Sequence, residues 1–377
     1  MQRRTRALTS ADRLDWLRLI RSENVGPITF HELLRRFGSA AAALEALPEL
    51  ARRGGRRAGI RIATRAEAER ELAALAGLGA RVIGVCEPDY PPLLAQIDDA
   101  PPLLYAQGHP RLAARPVVAM VGARNASAAG VRLAREMAAR LGAAGIAVAS
   151  GLARGIDTAA HRGALASGTI AAVAGGIDVI YPPENRDLQQ AIAEQGLLLA
   201  ELPPGTEPLA RHFPRRNRLV SGMARAVVVV EAALKSGSLI TARLAAEQGR
   251  EVMAVPGSPL DPRARGGNDL IRTGAALVES AEDVLALLAG LPDLAEPPGR
   301  DPVPPPQPPG EAELADGRAR LLSALSPVPI EIDELARQCA LAPGVLQTVL
   351  IELELAGRLE RQPGGRVAIR TEEPPRI

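Results

Sequence analysis

The chain has 377 residues and 39.5 kDa, enough for two or three domains, and its 47% hydrophobic and 23% charged residues argue against a disordered or fibrous chain. Of its 45 basic residues only Lys235 is a lysine. Its surroundings, Ala233-Leu234-Lys235-Ser236-Gly237, form no Walker A loop, so a P-loop motor is disfavoured and any lysine Schiff base would rest on that one residue. Cys86, Cys339 and the four histidines (His31, His109, His161 and His212) show no metal-ligand spacing, and neither a metal nor a cofactor is expected. The polar start of the chain and the lack of an apolar run near 18 residues imply a cytoplasmic protein without membrane insertion. The net charge of +2 conceals segregation: residues 1–70 hold 15 arginines against 8 acids, and residues 276–316 hold 9 acids against one arginine. Such a chain invites a polyanionic partner.

Residues 14–46 read as short amphipathic helices around Asn24-Val25-Gly26-Pro27, with Leu14, Leu17, Leu19 and Ile20 before the turn and Leu33, Leu34 and Phe37 after it. Two readings stand for this domain, placed at 1–75. One is a helix-hairpin-helix unit contacting DNA with Arg35, Arg36, Arg52, Arg53, Arg56 and Arg57. The other is a protein-contact or packing piece. From 76 to 290 the pattern becomes apolar runs at 81–85, 116–121, 145–150, 169–174, 197–201, 226–231 and 251–255, separated by stretches of helical pattern. That alternation predicts an α/β, Rossmann-like domain with a mostly parallel, doubly wound sheet. The unbroken apolarity of Val227-Val228-Val229-Val230 suits strands buried on both faces.

Residues 291–316 form a proline-rich acidic linker, read as a semi-rigid or disordered tether. Over 317–377 the pattern predicts helices at 319–325, 332–339 and 343–356 and strands at 358–361 and 366–370 around Pro363-Gly364-Gly365, which is a winged helix. Its 8 basic and 8 acidic residues cancel, favouring a partner-binding or regulatory module over a reader of DNA.

In a parallel sheet, loops at the carboxyl ends of strands line the ligand crevice, and helix N-termini there favour anions. Four such loops are distinctive: 121–125 with Gly122 and Arg124, 150–157 with Ser150, Gly151, Arg154 and Gly155, 174–178, and 231–238 with Lys235, Ser236, Gly237 and Ser238. Each alone serves a tight strand-to-helix turn; together they resemble an anion site. No G-x-G-x-x-G follows any strand, so a nicotinamide enzyme is disfavoured. Asp157 and His161 stand four apart on one helix as a conceivable acid/base pair, although a helix cap and a locally bonded histidine account for them as well. The segment Arg211-His212-Phe213-Pro214-Arg215-Arg216-Asn217-Arg218 joins four arginines to Phe213, one of seven aromatics in the chain. Cations for phosphates beside an aromatic face for a base are what a single strand needs; a solvated charged face is the alternative.

At these residues the sequence resembles the DNA-processing protein A (DprA/Smf) family. The motifs VGAR, SGLARGID with HRGAL, AGGIDVIYPPEN, FPRRNRLVSG, EAALKSGSLITARLAAEQGREVMAVPG and GGNDLIRTGA cover most of 116–277, and Tyr90-Pro91-Pro92-Leu93-Leu94 and Pro101-Pro102-Leu103-Leu104-Tyr105 extend the match upstream. The resemblance implies a sterile-alpha-motif-like N-terminal domain and a C-terminal winged helix. It implies a cytoplasmic homodimer that binds incoming single-stranded DNA in natural transformation, shields it and loads the RecA recombinase, without catalysis. By motif position the DNA site comprises Gly122, Arg124, Ser150, Gly151, Arg154, Gly155, Arg211, Phe213, Arg215, Arg216, Asn217, Arg218, Lys235, Ser236, Gly237 and Ser238. Ala123 and Ala210 depart from the family pattern, which removes a hydroxyl and a cation. Two further readings remain. A phosphoribohydrolase-like enzyme would hold a phosphate on 236–238 and use Glu231 at a ribosyl carbon, and a scaffold would recruit partners through its terminal modules.

Overall fold

A computed structural model gives the fold of residues 7–291, 310–362 and 364–370; most of the expected linker lies outside these described residues. At the start, Thr9 and Asp12 form a reciprocal capping box, each side chain taking the other's backbone N–H at 3.1 Å, and open α1 (Ser10–Arg21). The turn at 24–27 follows, with Asn24 in the left-handed region at φ 59, a conformation asparagine tolerates. Pro27 then begins α2 (Pro27–Phe37), and Ser39 caps α3 (Ala40–Arg53). Trp16 and Phe30 meet edge to face at 5.2 Å in the core of these helices.

Through α4 (Arg65–Gly77) the chain enters the sheet domain, whose elements are β1 (Arg81–Gly84), β2 (Leu103–Gly108), β3 (Val117–Gly122), α5 (Ala128–Ala143), β4 (Ala147–Ser150), α6 (Ile156–Ala164), β5 (Thr169–Ala172), α7 (Arg186–Gln195), β6 (Leu197–Ala200), α8 (His212–Gly222), β7 (Ala226–Val230), α9 (Gly237–Glu247), β8 (Glu251–Ala254), α10 (Arg265–Arg272), β9 (Ala276–Leu277) and α11 (Ala281–Gly290). The nine strands run β1-β2-β6-β5-β4-β3-β7-β8-β9, parallel from β6 to β9, with β2 antiparallel to β6 and β1 antiparallel to β2. All seven apolar runs are strands of this mostly parallel sheet. Two strands were not expected: β2, whose apolar run stands behind Pro101-Pro102, and β9, two residues at the sheet edge.

Alternate residues of each strand enter opposite layers, as the two-residue period requires. Ala119, Val121, Val227 and Val229 pack with Leu219, Val220, Ala242 and Ala245 of α8 and α9, while Val118, Met120, Val228 and Val230 pack with Ala134, Met137, Ile156 and Val284 of α5, α6 and α11. Helices on both faces explain why the strands are apolar without alternation.

The C-terminal module holds α12 (Glu311–Ala324), β10 (Ile330–Glu331), α13 (Ile332–Cys339), α14 (Pro343–Leu355), β11 (Leu359–Gln362) and β12 (Arg366–Ile369), with sheet order β10-β12-β11. It is a winged helix. Residues 311–316, expected in the linker, are instead the first turns of α12, where Glu311 and Glu313 favour the positive end of the helix. The chain divides into two compact units: the sheet domain, beginning near residue 70, and a discontinuous unit in which residues 9–69 join the winged helix. The N-terminal helical domain and the winged helix thus pack together in one compact unit.

Candidate functional site

Strand order reverses at β3, with β4 on one side and β7 on the other, so the crevice at their carboxyl ends is where a doubly wound sheet binds ligands. A cavity of about 430 Å³ opens there above β3, β4 and β5, lined by Arg124, Asn125, residues 151–154 and 173–175, Val179, Tyr181, Pro182, Pro208, Phe213 and Arg216. The 150–157 turn shapes its floor. Gly155 takes φ 72, and a Cβ there would strike the Ala123 carbonyl. At Gly151 a Cβ would overlap the Arg216 guanidinium, coming within 2.7 Å of Nη2. Asp157 accepts from Gly151 N at 3.1 Å and Ala153 N at 3.3 Å. Two backbone donors of the loop expected to hold an anion therefore serve an internal carboxylate.

Arg216 is the buried cation of the site, 7% exposed. Burial lowers its pKa to about 10, Arg124 pushes the same way and Asp157 opposes both, so it keeps its charge at neutral pH. Its Nε has no hydrogen-bond partner, and among the described residues neither Arg216 nor Arg124 is in an ion pair. Asp157 is raised by burial against the pull of Arg216 and its two N–H donors. His161 is fully buried, and burial followed by the Arg216 charge lowers its pKa to about 3. Thr169 Oγ1 donates to Val148 O at 3.0 Å and contacts His161 Nδ1 at 2.7 Å, which makes Nδ1–H the donor to Thr169. Asp157 ties down a turn and His161 ties α6 to β5; the conceivable acid/base pair is structural.

Phe213 forms one wall, with the Arg124 guanidinium 5.2 Å from its ring centroid and the Tyr181 ring 5.6 Å away edge to face. Tyr181, 44% exposed, was missed as a site residue although it stands in AGGIDVIYPPEN; nothing in the sequence tells which aromatic comes beside Phe213. Asn185 of the same motif donates to Leu152 O at 2.9 Å and holds the turn from beneath.

The remaining expected residues divide. Arg211 and Arg215 are exposed at the start of α8. Arg154, also exposed, lies 3.1 Å from Glu184. Lys235 and Gly237 are exposed on the turn that leads from β7 into α9, Ser236 caps α9 with its Oγ 2.7 Å from Ser238 Oγ, and Asn217 links α8 to this turn through Gly237 O at 3.4 Å. Three expectations fail, the first two on burial and the third on packing. Arg218, 5% exposed, is bound to Glu201 at 2.6 Å and Asp99 at 3.2 Å. Ser150 is fully buried and donates to Met120 O at 2.6 Å. Gly122 exists for packing, since a Cβ there would strike the Val230 carbonyl and come within 2.7 Å of Ile156.

Two alternative assignments also change. Both oxygens of Glu231 are taken by Ser127 at the start of α5, from its backbone N–H at 2.8 Å and its hydroxyl, so Glu231 anchors a helix. In the N-terminal helices Arg35, Arg52, Arg53 and Arg56 pair with Glu32, Glu49 and Glu23 at 2.7–2.9 Å, and Arg36 covers Phe37 and bonds Thr348. Five of the six arginines expected to meet DNA are thus engaged within the chain.

Comparison with known proteins identifies relatives over most of the chain. The model of the DNA recombination-mediator protein A family matches residues 81–289, that of the DprA-like N-terminal HHH domain residues 10–74, and that of the DprA winged helix domain residues 304–365. Protein Smf of Synechocystis sp. is 33% identical over 313 residues, 74% of this chain and 78% of that protein. The DNA processing protein DprA of Streptococcus pneumoniae is 47% identical over 198 residues, 52% of this chain and 70% of its own length. The X-ray structure of the S. pneumoniae protein superposes with a TM-score of 0.61 at 36% identity, covering 74% of this chain and 98% of that one. A Helicobacter pylori DNA processing protein A, described for its single-stranded DNA binding mode, gives 0.52 at 29% identity, covering 56% and 95%.

Proposed function

This chain belongs to the DNA recombination-mediator protein A family, and on that ground we propose that it binds single-stranded DNA at the cavity above β3, β4 and β5. Arg124 and Arg216 take phosphates and a base stacks on Phe213 beside Tyr181. Arg211, Arg215 and the 235–238 turn carry the strand onward along the carboxyl edge of the sheet. The protein acts as a cytoplasmic homodimer in DNA uptake and passes the bound strand to a RecA-type recombinase, without making or breaking bonds in the DNA. One observation carries the reading: two cations in no ion pair among the described residues and two aromatic rings face a single cavity, the combination single strands require and duplexes do not. The structural duties of Asp157, His161 and Glu231 support the absence of catalysis.

The test is a salt titration of the full-length protein on oligo-dT and on duplex of equal length. Four to five cationic contacts at about −0.7 each set the slope of log K against log salt at about −3 to −3.5, with single strands bound more tightly. A slope near zero, or equal affinity for duplex, refutes the proposal. Release of free base from a nucleoside monophosphate would favour the phosphoribohydrolase reading instead.

A further inference from the structure

In a helix-turn-helix reader the second helix of the motif enters the major groove and its side chains meet bases and phosphates. Here that helix is α14, and its sequence, PGVLQTVLIELEL, contains no lysine or arginine but two glutamates. It is buried on both sides. Val345, Leu346, Val349, Leu350 and Leu353 face the winged-helix core with Leu314, Leu321 and Leu335. On the other side α3 packs so closely that a Cβ on Gly54 would strike the Glu352 carbonyl and sit 2.8 Å from Ala356 Cβ.

Polar groups match across that second contact. Thr29 Oγ1 donates to Glu354 Oε2 at 2.6 Å, Asn24 Nδ2 to Leu355 O at 3.2 Å and Arg36 Nη1 to Thr348 Oγ1 at 3.4 Å. Glu352, fully buried, is bound by Arg318 at 2.6 Å, and Glu354 by Arg361 at 2.9 Å, both arginines of the winged helix itself. Donors of the N-terminal helices thus meet acceptors on α14, where a DNA phosphate would bring only more acceptors.

We propose that α14 is a docking helix for the chain's own N-terminal helices: the winged helix works as an intrachain clasp and does not read duplex DNA. The proposal goes beyond single-strand binding by the sheet domain and does not depend on it. Gly54 provides a steric probe, because its φ of −68 is open to any residue and only the neighbouring helix forbids a side chain. In full-length Gly54→Val, amide hydrogen exchange in peptides 40–53 and 343–355 should accelerate at least tenfold, exchange in β3–β5 should stay unchanged, and duplex affinity should not rise. Unchanged exchange in both helices overturns the clasp. A tenfold gain in duplex affinity also overturns it, by making α14 a masked DNA reader. If Gly54→Val loses its helical circular dichroism altogether, Thr29→Val replaces it; loss of one charge-assisted hydrogen bond should accelerate exchange in 343–355 about tenfold, and no change there overturns the proposal.

Discussion

Removing the Phe213 ring separates stacking from charge at the cavity. The ring is half-buried, lies under the Arg124 guanidinium at 5.2 Å and meets Tyr181 at 5.6 Å, and in the proposed complex a base stacks on it. Base–aromatic stacking contributes roughly 1–3 kcal/mol, and Phe213→Ala should weaken oligo-dT binding about 5- to 150-fold. The arginines stay in place, so the salt slope should run parallel to wild type. Stability should fall too, by about 1–2 kcal/mol, less than the roughly 3–5 kcal/mol of a fully buried phenylalanine. For a domain of this size that lowers Tm by about 2–8 °C. Anisotropy titrations at several salt concentrations, well below the mutant's Tm, read affinity and slope together. Tyr181→Ala should weaken binding as well, and the double mutant should lose less than the product of the two factors because the rings touch. Normal affinity in a folded but less stable Phe213→Ala would reduce the ring to a wall of the cavity and refute the stacking argument.

Arg216→Ala should flatten the salt slope by about 0.7, whereas Arg218→Ala should leave the slope alone and destabilise the fold by about 1.5–3 kcal/mol, since it removes the buried charge-assisted bond to Glu201; denaturant melts and titrations of both variants check the contrast. Gly151→Ala forces the Arg216 guanidinium aside, and its slope should flatten like that of Arg216→Ala; an unchanged slope would show that Arg216 has room to move without losing its contact. With its pKa lowered from 6.5 to about 3, His161 stays neutral in the folded chain while the unfolded chain takes up a proton below about pH 6.5. Stability is therefore lost as pH falls, by about 1.4 kcal/mol per unit across that window; His161→Gln should remove about 2 kcal/mol of the difference between pH 7 and pH 5, and an undiminished difference in urea melts would contradict the burial argument.

The sheet was legible because burial on both faces writes unbroken apolar runs, as in Val227–Val230, and the cavity because its motifs fall at strand ends. What escaped was pairing. Helical spacing puts Arg211, Arg215 and Arg218 on one side of the chain at α8, yet Arg218 is buried because Glu201 and Asp99 arrive from distant segments. Arg35, Arg52, Arg53 and Arg56 look like a basic patch in sequence, and only the helix geometry shows a carboxylate beside each. Tyr181 escaped for the same reason: its proximity to Phe213 is a property of the folded chain. The junction of both chain ends left no local mark either, since Gly54 and Glu352 stand almost 300 positions apart.

That junction orders events at the ribosome. Residues 54–310 separate α3 from α12, and at about 5–20 residues per second their synthesis occupies some tens of seconds after α3 has emerged. The sheet domain is made within that interval and can complete its fold once α11 has emerged near its end, whereas the N-terminal helices wait with the Gly54 surface uncovered until the last helices appear. A nascent chain stopped before α14 would then carry a finished sheet domain behind an unfinished first domain, and that first domain is where a chaperone holding the growing chain would be found.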